Sequence, residues 1–203
     1  MVASLPVPLS PDDYLHLEAE SRIKHEYIDG YAYAMAGATD AHVTIAGNLF
    51  AMLRNHLRGS GCRLYISDMK ARVEARNCYY YPDVMVTCDP RDAETDTYKR
   101  FPKLIVEVLS ASTEAFDRGD KFISYQALDT LEEYVVINTR HQRVECFRRG
   151  ADGQWLLQYY VPSAARFELQ SLQFSATLTA LYEDVVLEAS EEPESADDPR
   201  ERG

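Results

Sequence analysis

Two apolar runs in the middle of the chain each enclose one acidic residue, and the other predicted elements are arranged around them. The first run is YYYPDVMV, residues 79–86, and the second is KLIVEVLS, residues 103–110. Apolar, β-branched runs of this length are typical of buried strands. Asp83 lies in the first run and Glu107 in the second. Because burying a carboxylate costs free energy unless a cation compensates it, both acids need a partner in the folded protein.

Helical patterns precede these two strands. Ser10 followed by Pro11, with an acid three residues after the serine, predicts a capped helix that runs to about Glu20. Apolar residues at helical spacing predict a second helix, which is capped at Asp40 and ended by Gly59 and Gly61.

Strand patterns fill most of the remaining chain. The pair Asp29-Gly30 is a two-residue turn signal and predicts a hairpin within residues 24–36. The polar stretch 88–102 is predicted to be a loop over the site or a disordered flap, and a third helix is predicted from about Ala115. The other predicted elements are strands at 62–67, 69–75 and 132–138, a hairpin around Gly150 to Gly153, and a short helix or strand within 174–187.

Length and composition are those of an ordinary globular protein. The 203 residues are 46% hydrophobic and 27% charged, which predicts one domain over residues 1–187. No apolar run approaches the roughly 20 residues that span a bilayer. The N-terminus lacks the features of a secretory signal. These observations predict a cytoplasmic protein with no membrane segment.

The cysteines are spread through the chain without C-x-x-C spacing. This pattern favours reduced thiols over a zinc site or a disulfide framework, in agreement with a cytoplasmic location. The four residues are Cys62, Cys78, Cys88 and Cys146.

Charge is distributed unevenly along the chain. The net charge of −12 argues at first sight against a nucleic-acid partner. Residues 188–203, however, hold seven acids and two arginines, a net −5, and their composition predicts a disordered acidic tail. The basic segment 54–76 would form either a phosphate-binding surface or ordinary solvated faces. Its basic residues are Arg54, Arg58, Arg63, Lys70, Arg72 and Arg76.

If the two acidic strands lie side by side, Asp83 and Glu107 meet at one spot. Carboxylate oxygens in that arrangement suit a hard divalent cation. Lys121, on the helix that follows, would bring a positive charge to the same place. Asp117 lies four residues before Lys121 and Tyr125 four residues after it, so the three share a helix face. The alternative is that both acids are structural and pair with Arg or Lys.

Two further candidates lie in the N-terminal half of the chain. Glu26 is in the first strand of the predicted hairpin, where it belongs either to the site or to a cross-strand pair with a base. His42 lies near the start of the second helix and could face the site, although a surface or packing role is the alternative.

A series of sequence blocks in a fixed order resembles the Uma-two family of domains of unknown function. The blocks are HEYIDG, H-x-x-I-x-x-N-L, YYPDVMV, LIVEVLSAST, DRGDK-x-x-x-Y and EEYVVIN, and they cover about residues 10–187. That family belongs to the restriction-endonuclease-like, PD-(D/E)xK nuclease superfamily. The resemblance implies an α/β fold with a mixed central sheet, flanking helices, and an N-terminal helix and hairpin.

The resemblance also assigns positions of the superfamily motif. It implies that Asp83 is the first acid, Glu107 the second, and Glu26 an additional acid from the N-terminal part. The simple motif places lysine two residues after the second acid, where this chain has Leu109. The resemblance implies that the lysine has moved to the following helix, as Lys121.

The implied activity is that of an endonuclease that hydrolyses phosphodiester bonds of DNA with Mg²⁺ (or Mn²⁺). Asp83, Glu107 and the carbonyl of Val108 would hold the ion, and Lys121 would position water or stabilise the charged phosphate. Glu26 would hold a second metal or its water shell, and the basic segment would contact phosphates. The residues expected to support these groups are His42, Asp117 and Tyr125.

Two other classes of function remain open from the sequence. A nuclease-like fold without turnover would serve as a DNA-binding or protein-interaction module. A structural or oligomerising protein would instead use the acids in internal ion pairs. A homodimer is compatible with each of these hypotheses.

Overall fold

The structure, a computed structural model, describes residues 8–187. The predicted acidic tail, residues 188–203, lies outside the described residues. The helices are α1 Pro11–Glu20, α2 Asp40–His56, α3 Glu114–Arg118, α4 Asp120–Tyr125 and α5 Leu178–Leu181. The strands are β1 His25–Ile28, β2 Tyr31–Ala34, β3 Arg63–Ile66, β4 Lys70–Val73, β5 Cys78–Tyr80, β6 Val84–Thr87, β7 Tyr98–Lys99, β8 Pro102–Val108, β9 Glu133–Ile137, β10 Val144–Arg149, β11 Trp155–Tyr160, β12 Phe167–Leu169 and β13 Phe174–Ala176.

The strands form a six-stranded mixed sheet, a five-stranded sheet and a two-stranded hairpin. The order in the six-stranded sheet is β11-β10-β9-β8-β6-β3, in which β8 and β9 are parallel and the other neighbours antiparallel. The order in the five-stranded sheet is β2-β1-β5-β4-β7. The predicted fold, a mixed central sheet with helices and an N-terminal helix and hairpin, is confirmed.

Helices cover both faces of the six-stranded sheet. Leu53 of α2 and Val106 of β8 belong to one buried core. Phe122 of α4 and Ile105 of β8 belong to a second core on the opposite face. Because side chains alternate along a strand, Glu107 lies on the same face as Ile105. The central strand therefore presents its one carboxylate to the side of the sheet that α4 covers.

The N-terminal part folds as its local sequence predicts. The Ser10 hydroxyl accepts a hydrogen bond from the Asp13 N–H at 3.1 Å, and the Asp13 carboxylate accepts one from the Ser10 N–H. This reciprocal cap begins α1. Asp29 and Gly30 both have positive φ, 45° and 98°, and form the turn between β1 and β2.

Two helices differ from the prediction in detail. Thr39, not Asp40, caps α2, because the Thr39 hydroxyl accepts the bond from the His42 N–H. The helix predicted from Ala115 is two short helices, α3 and α4, which are divided at Gly119.

The run YYYPDVMV is not one strand. β5 ends at Tyr80 in the five-stranded sheet, and β6 begins at Val84 in the six-stranded sheet. Pro82 lies between them, and proline cannot donate a hydrogen bond to a strand ladder. Asp83 therefore sits where the chain crosses from one sheet to the other, and not in the middle of a strand.

The stretch 88–102 is neither a flap nor a cover of the site. It contains a 3₁₀ helix, Pro90–Ala93, and strand β7. Buried Asp92 accepts hydrogen bonds from the Thr87 hydroxyl and from the Arg100 N–H, the latter at 2.7 Å. Since Thr87 is at the end of β6 opposite Asp83, this stretch is anchored away from the acids.

The prediction of four reduced thiols is wrong for two of them. Cys62 and Cys88 form a disulfide, while Cys78 and Cys146 are free and buried. The antiparallel register of β3 and β6 brings the first pair together, with Cα atoms 4.1 Å apart. Sequence spacing does not reveal that register, so the argument from thiols to a cytoplasmic location loses its basis. No helix within residues 8–187 is long and apolar enough to span a membrane.

Candidate active site

Lys121 lies at the centre of a cluster of carboxylates. Its Nζ atom is 3.0 Å from Oε1 of Glu26, 3.0 Å from Oε1 of Glu107 and 3.4 Å from Oδ1 of Asp117. The Lys121 residue is 5% exposed and Glu107 is 3% exposed. One buried ammonium is therefore shared by three carboxylates.

These four side chains come from one strand of each sheet and from two helices. β8 supplies Glu107, and α3 and α4 supply Asp117 and Lys121 across the break at Gly119. Glu26 lies on β1 of the five-stranded sheet, and its Oε1 atom accepts a hydrogen bond from the Tyr81 N–H at 3.3 Å. The site thus forms where the two sheets meet.

Asp83 is held beside this cluster by the main chain and by a histidine. Its Oδ2 accepts a hydrogen bond from the Val108 N–H at 2.7 Å, and Nε2 of His42 lies 3.2 Å from the same oxygen. Burial acts to lower the pKa of His42, but Asp83 outweighs it and raises that pKa above its usual value. His42, in the first turn of α2, therefore orients the carboxylate.

Two tyrosines support the cluster from behind. The Tyr125 hydroxyl donates to Oε1 of Glu107 at 3.0 Å, and the Tyr134 hydroxyl donates to the carbonyl of Asp117 at 2.8 Å. The sequence predicted the position of Tyr125 but not that of Tyr134. β9 pairs with β8 in a register that puts Tyr134 opposite Ile105, on the same face of the sheet as Glu107, and the sequence alone does not give that register.

Burial and neighbouring charges shift the pKa values in the cluster. Burial raises the pKa of Glu107 well above its usual value; Lys121 opposes this rise and Asp117 adds to it. Burial likewise raises the pKa of Asp117. Burial acts to lower the pKa of Lys121, but the carboxylates outweigh it and hold that pKa well above its ordinary value. Lys121 is therefore a fixed positive charge at neutral pH.

The cluster opens into a cleft of about 560 Å³. Tyr125 lies behind Glu107, away from the cleft wall, whereas the other residues named from the sequence as catalytic or supporting line the cleft. Those lining residues are Glu26, His42, Asp83, Glu107, Asp117 and Lys121.

The donor set suits a divalent cation that uses few protein ligands. Within residues 8–187, no group of three or more His, Cys, Asp or Glu side chains is arranged to hold a metal ion. Mg²⁺ commonly takes one or two carboxylates and completes its shell with water and substrate phosphates. Among described residues, the contacts of Asp83 use Oδ2 and those of Glu107 use Oε1, which leaves one oxygen of each carboxylate for a cation.

The basic residues of segment 54–76 fall into two groups. Lys70 is buried, and its Nζ atom donates to the Tyr81 hydroxyl at 3.3 Å. The Arg72 guanidinium is partly buried and lies 4.4 Å from the centre of the Tyr79 ring. The others are exposed at the surface. They are Arg54, Arg58, Arg63 and Arg76.

Known proteins match this chain in both sequence and structure. The model of the Uma2 family, described as "Putative restriction endonuclease", matches residues 11–180. The uncharacterized protein slr1290 of Synechocystis is 41% identical over 180 residues, 88% of this chain and 94% of that protein. The uncharacterized protein sll1609 of the same organism is 31% identical over 175 residues, 85% of this chain and 99% of that protein.

A solved structure shares the fold. It is the crystal structure of a putative nuclease belonging to DUF820 from Anabaena variabilis, which superimposes with a TM-score of 0.71 at 16% sequence identity. The match covers 86% of this chain and 98% of the other. At this level of identity, the likeness establishes the common fold.

Proposed function

The chain belongs to the Uma2 family, and from that membership we propose that it is a metal-dependent nuclease that hydrolyses phosphodiester bonds of DNA. The observation that carries the proposal is the position of Lys121, whose ammonium lies 3.0 Å from both Glu26 and Glu107 in a cleft that Asp83 also lines. A fixed cation and carboxylates with oxygens to spare are the groups that phosphodiester hydrolysis requires.

Each residue has a separate task in this proposal. Asp83 and Glu107, with the carbonyl of Val108, would hold Mg²⁺ or Mn²⁺, which supplies Lewis-acid polarisation of the phosphodiester and activation of water. Lys121 stabilises the negative charge that develops on the phosphate. Glu26 fixes the Lys121 ammonium in place, because it accepts a bond from the main chain and contacts the ammonium with the same oxygen.

The supporting residues limit movement of the reacting groups. His42 orients the Asp83 carboxylate, Tyr125 orients Glu107, and Asp117 orients Lys121. Partners of this kind keep ligand and catalytic side chains in a productive geometry. The exposed arginines of segment 54–76 would contact DNA phosphates, since local positive charge attracts a polyanion even on an acidic protein.

Titration with Mn²⁺ tests the metal part of the proposal. We expect the parent to bind Mn²⁺ in isothermal titration calorimetry, and Asp83→Asn and Glu107→Gln each to lose that binding because each removes an ionised ligand. Glu168→Gln, a change of the same chemical type at an exposed position, should bind as the parent does. Equal Mn²⁺ affinity in all four proteins would show that the acids form internal ion pairs only.

The alternative function is a nuclease-like fold that binds DNA or a protein without turnover. It is favoured by the close pairing of Lys121 with carboxylates, which already neutralises part of the site. Binding of Mn²⁺ and DNA by the parent with no cleavage of DNA or RNA would decide for this alternative.

A further inference from the structure

A second cavity adjoins the candidate active site. It has a volume of about 250 Å³, and Lys24 and Tyr81 line both this cavity and the larger cleft. We call it the Lys70 cavity. Its polar lining consists of Glu18, Ser21, Arg22, Lys24, Lys70, Tyr81 and Thr97.

Lys70 differs from the other buried lysines of residues 8–187. Lys121 has three carboxylate partners, and the Nζ atom of Lys99 donates to the carbonyls of Asp92 and Thr95. Lys70 is only 8% exposed, yet the one hydrogen bond of its ammonium among described residues is a long one, 3.3 Å, to a tyrosine hydroxyl. An ammonium has three hydrogens to donate. Two of them therefore have no acceptor within the described residues.

Glu18, the one acid that lines the cavity, already accepts hydrogen bonds from other donors. The Glu18 carboxylate accepts from the Tyr81 hydroxyl at 2.7 Å and from the His25 N–H at 3.0 Å, and it contacts the His25 ring at 3.1 Å. It forms no salt bridge with Lys70. Burial accordingly lowers the pKa of Lys70 despite the attraction of Glu18. A buried ammonium without a carboxylate partner costs free energy unless an anion binds to it.

Further positive charge faces the same space. The Nζ atoms of Lys24 and Lys70 lie 5.8 Å and 5.3 Å from the centre of the Tyr81 ring, and Arg22 is exposed at the rim. Lys24 is paired with Asp68, and Glu18 is the one acid that lines the cavity. A concave positive surface in a chain of net charge −12 favours an anionic ligand.

We propose that the Lys70 cavity binds a phosphate group, namely a backbone phosphate of the nucleic-acid strand that passes the candidate active site. The source of the phosphate rests on the proposed nuclease function. The anion site itself rests on the two hydrogens of the Lys70 ammonium that have no acceptor among the described residues, and on the wall that the cavity shares with the cleft. Lys70 and Arg22 supply donors to the phosphate oxygens, and Tyr81 separates this phosphate from the one at Lys121. The cavity therefore fixes the register of the strand in the cleft.

Replacement of Lys70 tests the site directly. Lys70→Met removes the charge and keeps the stem, and Lys103→Met makes the same change at a lysine that pairs with Glu132 elsewhere. We expect Lys70→Met to weaken binding of a fluorescent DNA oligonucleotide about tenfold or more, the usual worth of a charge-assisted hydrogen bond. Anisotropy is measured in EDTA and again with Ca²⁺. The Lys103→Met variant should bind as the parent does.

Thermal stability separates a ligand site from a structural lysine. Because Lys70→Met removes a buried and poorly paired charge, its melting temperature should equal or exceed that of the parent. A clear fall in melting temperature would show that Lys70 stabilises the fold, which would overturn the inference.

Two further outcomes distinguish this inference from the nuclease proposal. If the parent cuts DNA, and Lys70→Met binds and cuts it as Lys103→Met does, the cavity is not a phosphate site and the nuclease proposal stands. The second outcome comes from melting temperatures measured with added inorganic phosphate. If phosphate raises the melting temperature of the parent but not of Lys70→Met, while the parent binds no oligonucleotide, the ligand is a free phosphate and the nucleic-acid source is wrong.

Discussion

Lys121 and Glu107 determine each other's charge in the candidate site. Both are almost fully buried, and removal of one partner from such a pair leaves an uncompensated charge. Glu26 and Asp117 add further carboxylates around the same ammonium. Three carboxyl groups therefore surround one ammonium, and burial raises the pKa of two of them, Glu107 and Asp117. A divalent cation in the cleft would stabilise their ionised forms.

The pH dependence of stability tests the contact between His42 and Asp83. The folded pKa of His42 is raised above 6.5, because Asp83 outweighs the effect of burial. The contact therefore contributes its full stability below about pH 6.5 and loses it as the pH rises through the folded pKa. We expect His42→Asn to cost about 1 kcal/mol at low pH and progressively less above it.

Urea unfolding in EDTA across this pH range measures the effect, with exposed His16→Asn as the control. A difference between parent and His42→Asn that does not change with pH would contradict the assigned ion pair.

At the residue scale, the sequence predicted which charged residues belong to the site, but not which groups each of them contacts. Glu26, Asp83, Glu107 and Lys121 stand in sequence blocks whose order points to one site. That the Lys70 ammonium has a single hydrogen-bond acceptor among the described residues depends on distances between separate elements, which no local pattern contains.

At the level of elements, two interruptions shape the site. The crossing at Pro82 separates β5 from β6 and places Asp83 at the junction of the sheets. The break at Gly119 divides α3 from α4 while Asp117 and Lys121 keep their contact at 3.4 Å. Regular elements at either position would present these side chains differently.

Substitution of Gly119 tests the need for the second interruption. A Cβ atom at this position would lie 3.0 Å from the carbonyl oxygen of Ala115, closer than an ordinary contact. We expect Gly119→Ala to lower the free energy of unfolding by about 1 kcal/mol, as overpacking does. Gly47→Ala in α2, where a Cβ meets nothing within 4 Å, should instead raise it by about 0.5–1 kcal/mol.

Urea denaturation of the parent and the two variants measures these changes in the free energy of unfolding. Stabilisation of the protein by Gly119→Ala would show that the break tolerates a side chain and is not needed for packing.

Element positions were predictable to the extent that they follow local rules. The Ser10 cap, the Asp29-Gly30 turn and the strand around Glu107 obey local propensities and were predicted correctly. The division of the first acidic run and the Cys62–Cys88 disulfide depend on which sheet and which register each strand joins. Those choices are made by tertiary packing.

At the scale of the whole molecule, the two sheets and the helices converge on one cleft. The acids come from both sheets and the lysine from the helix that covers the central strand. The sequence blocks predicted this convergence through their resemblance to a nuclease family, and the Anabaena variabilis protein shares the fold. The substrate is set by surface charge and cavity shape, which block order does not encode.

The rate of Mg²⁺-dependent plasmid cleavage by the parent and by Lys121→Met tests the central claim most directly. We predict that the parent cuts DNA and that Lys121→Met, checked for folding by circular dichroism, is about 10²- to 10⁴-fold slower, since it loses the charge that stabilises the phosphate. Equal rates in the two proteins, or a parent that cuts no nucleic acid with Mg²⁺ or Mn²⁺, would contradict the account.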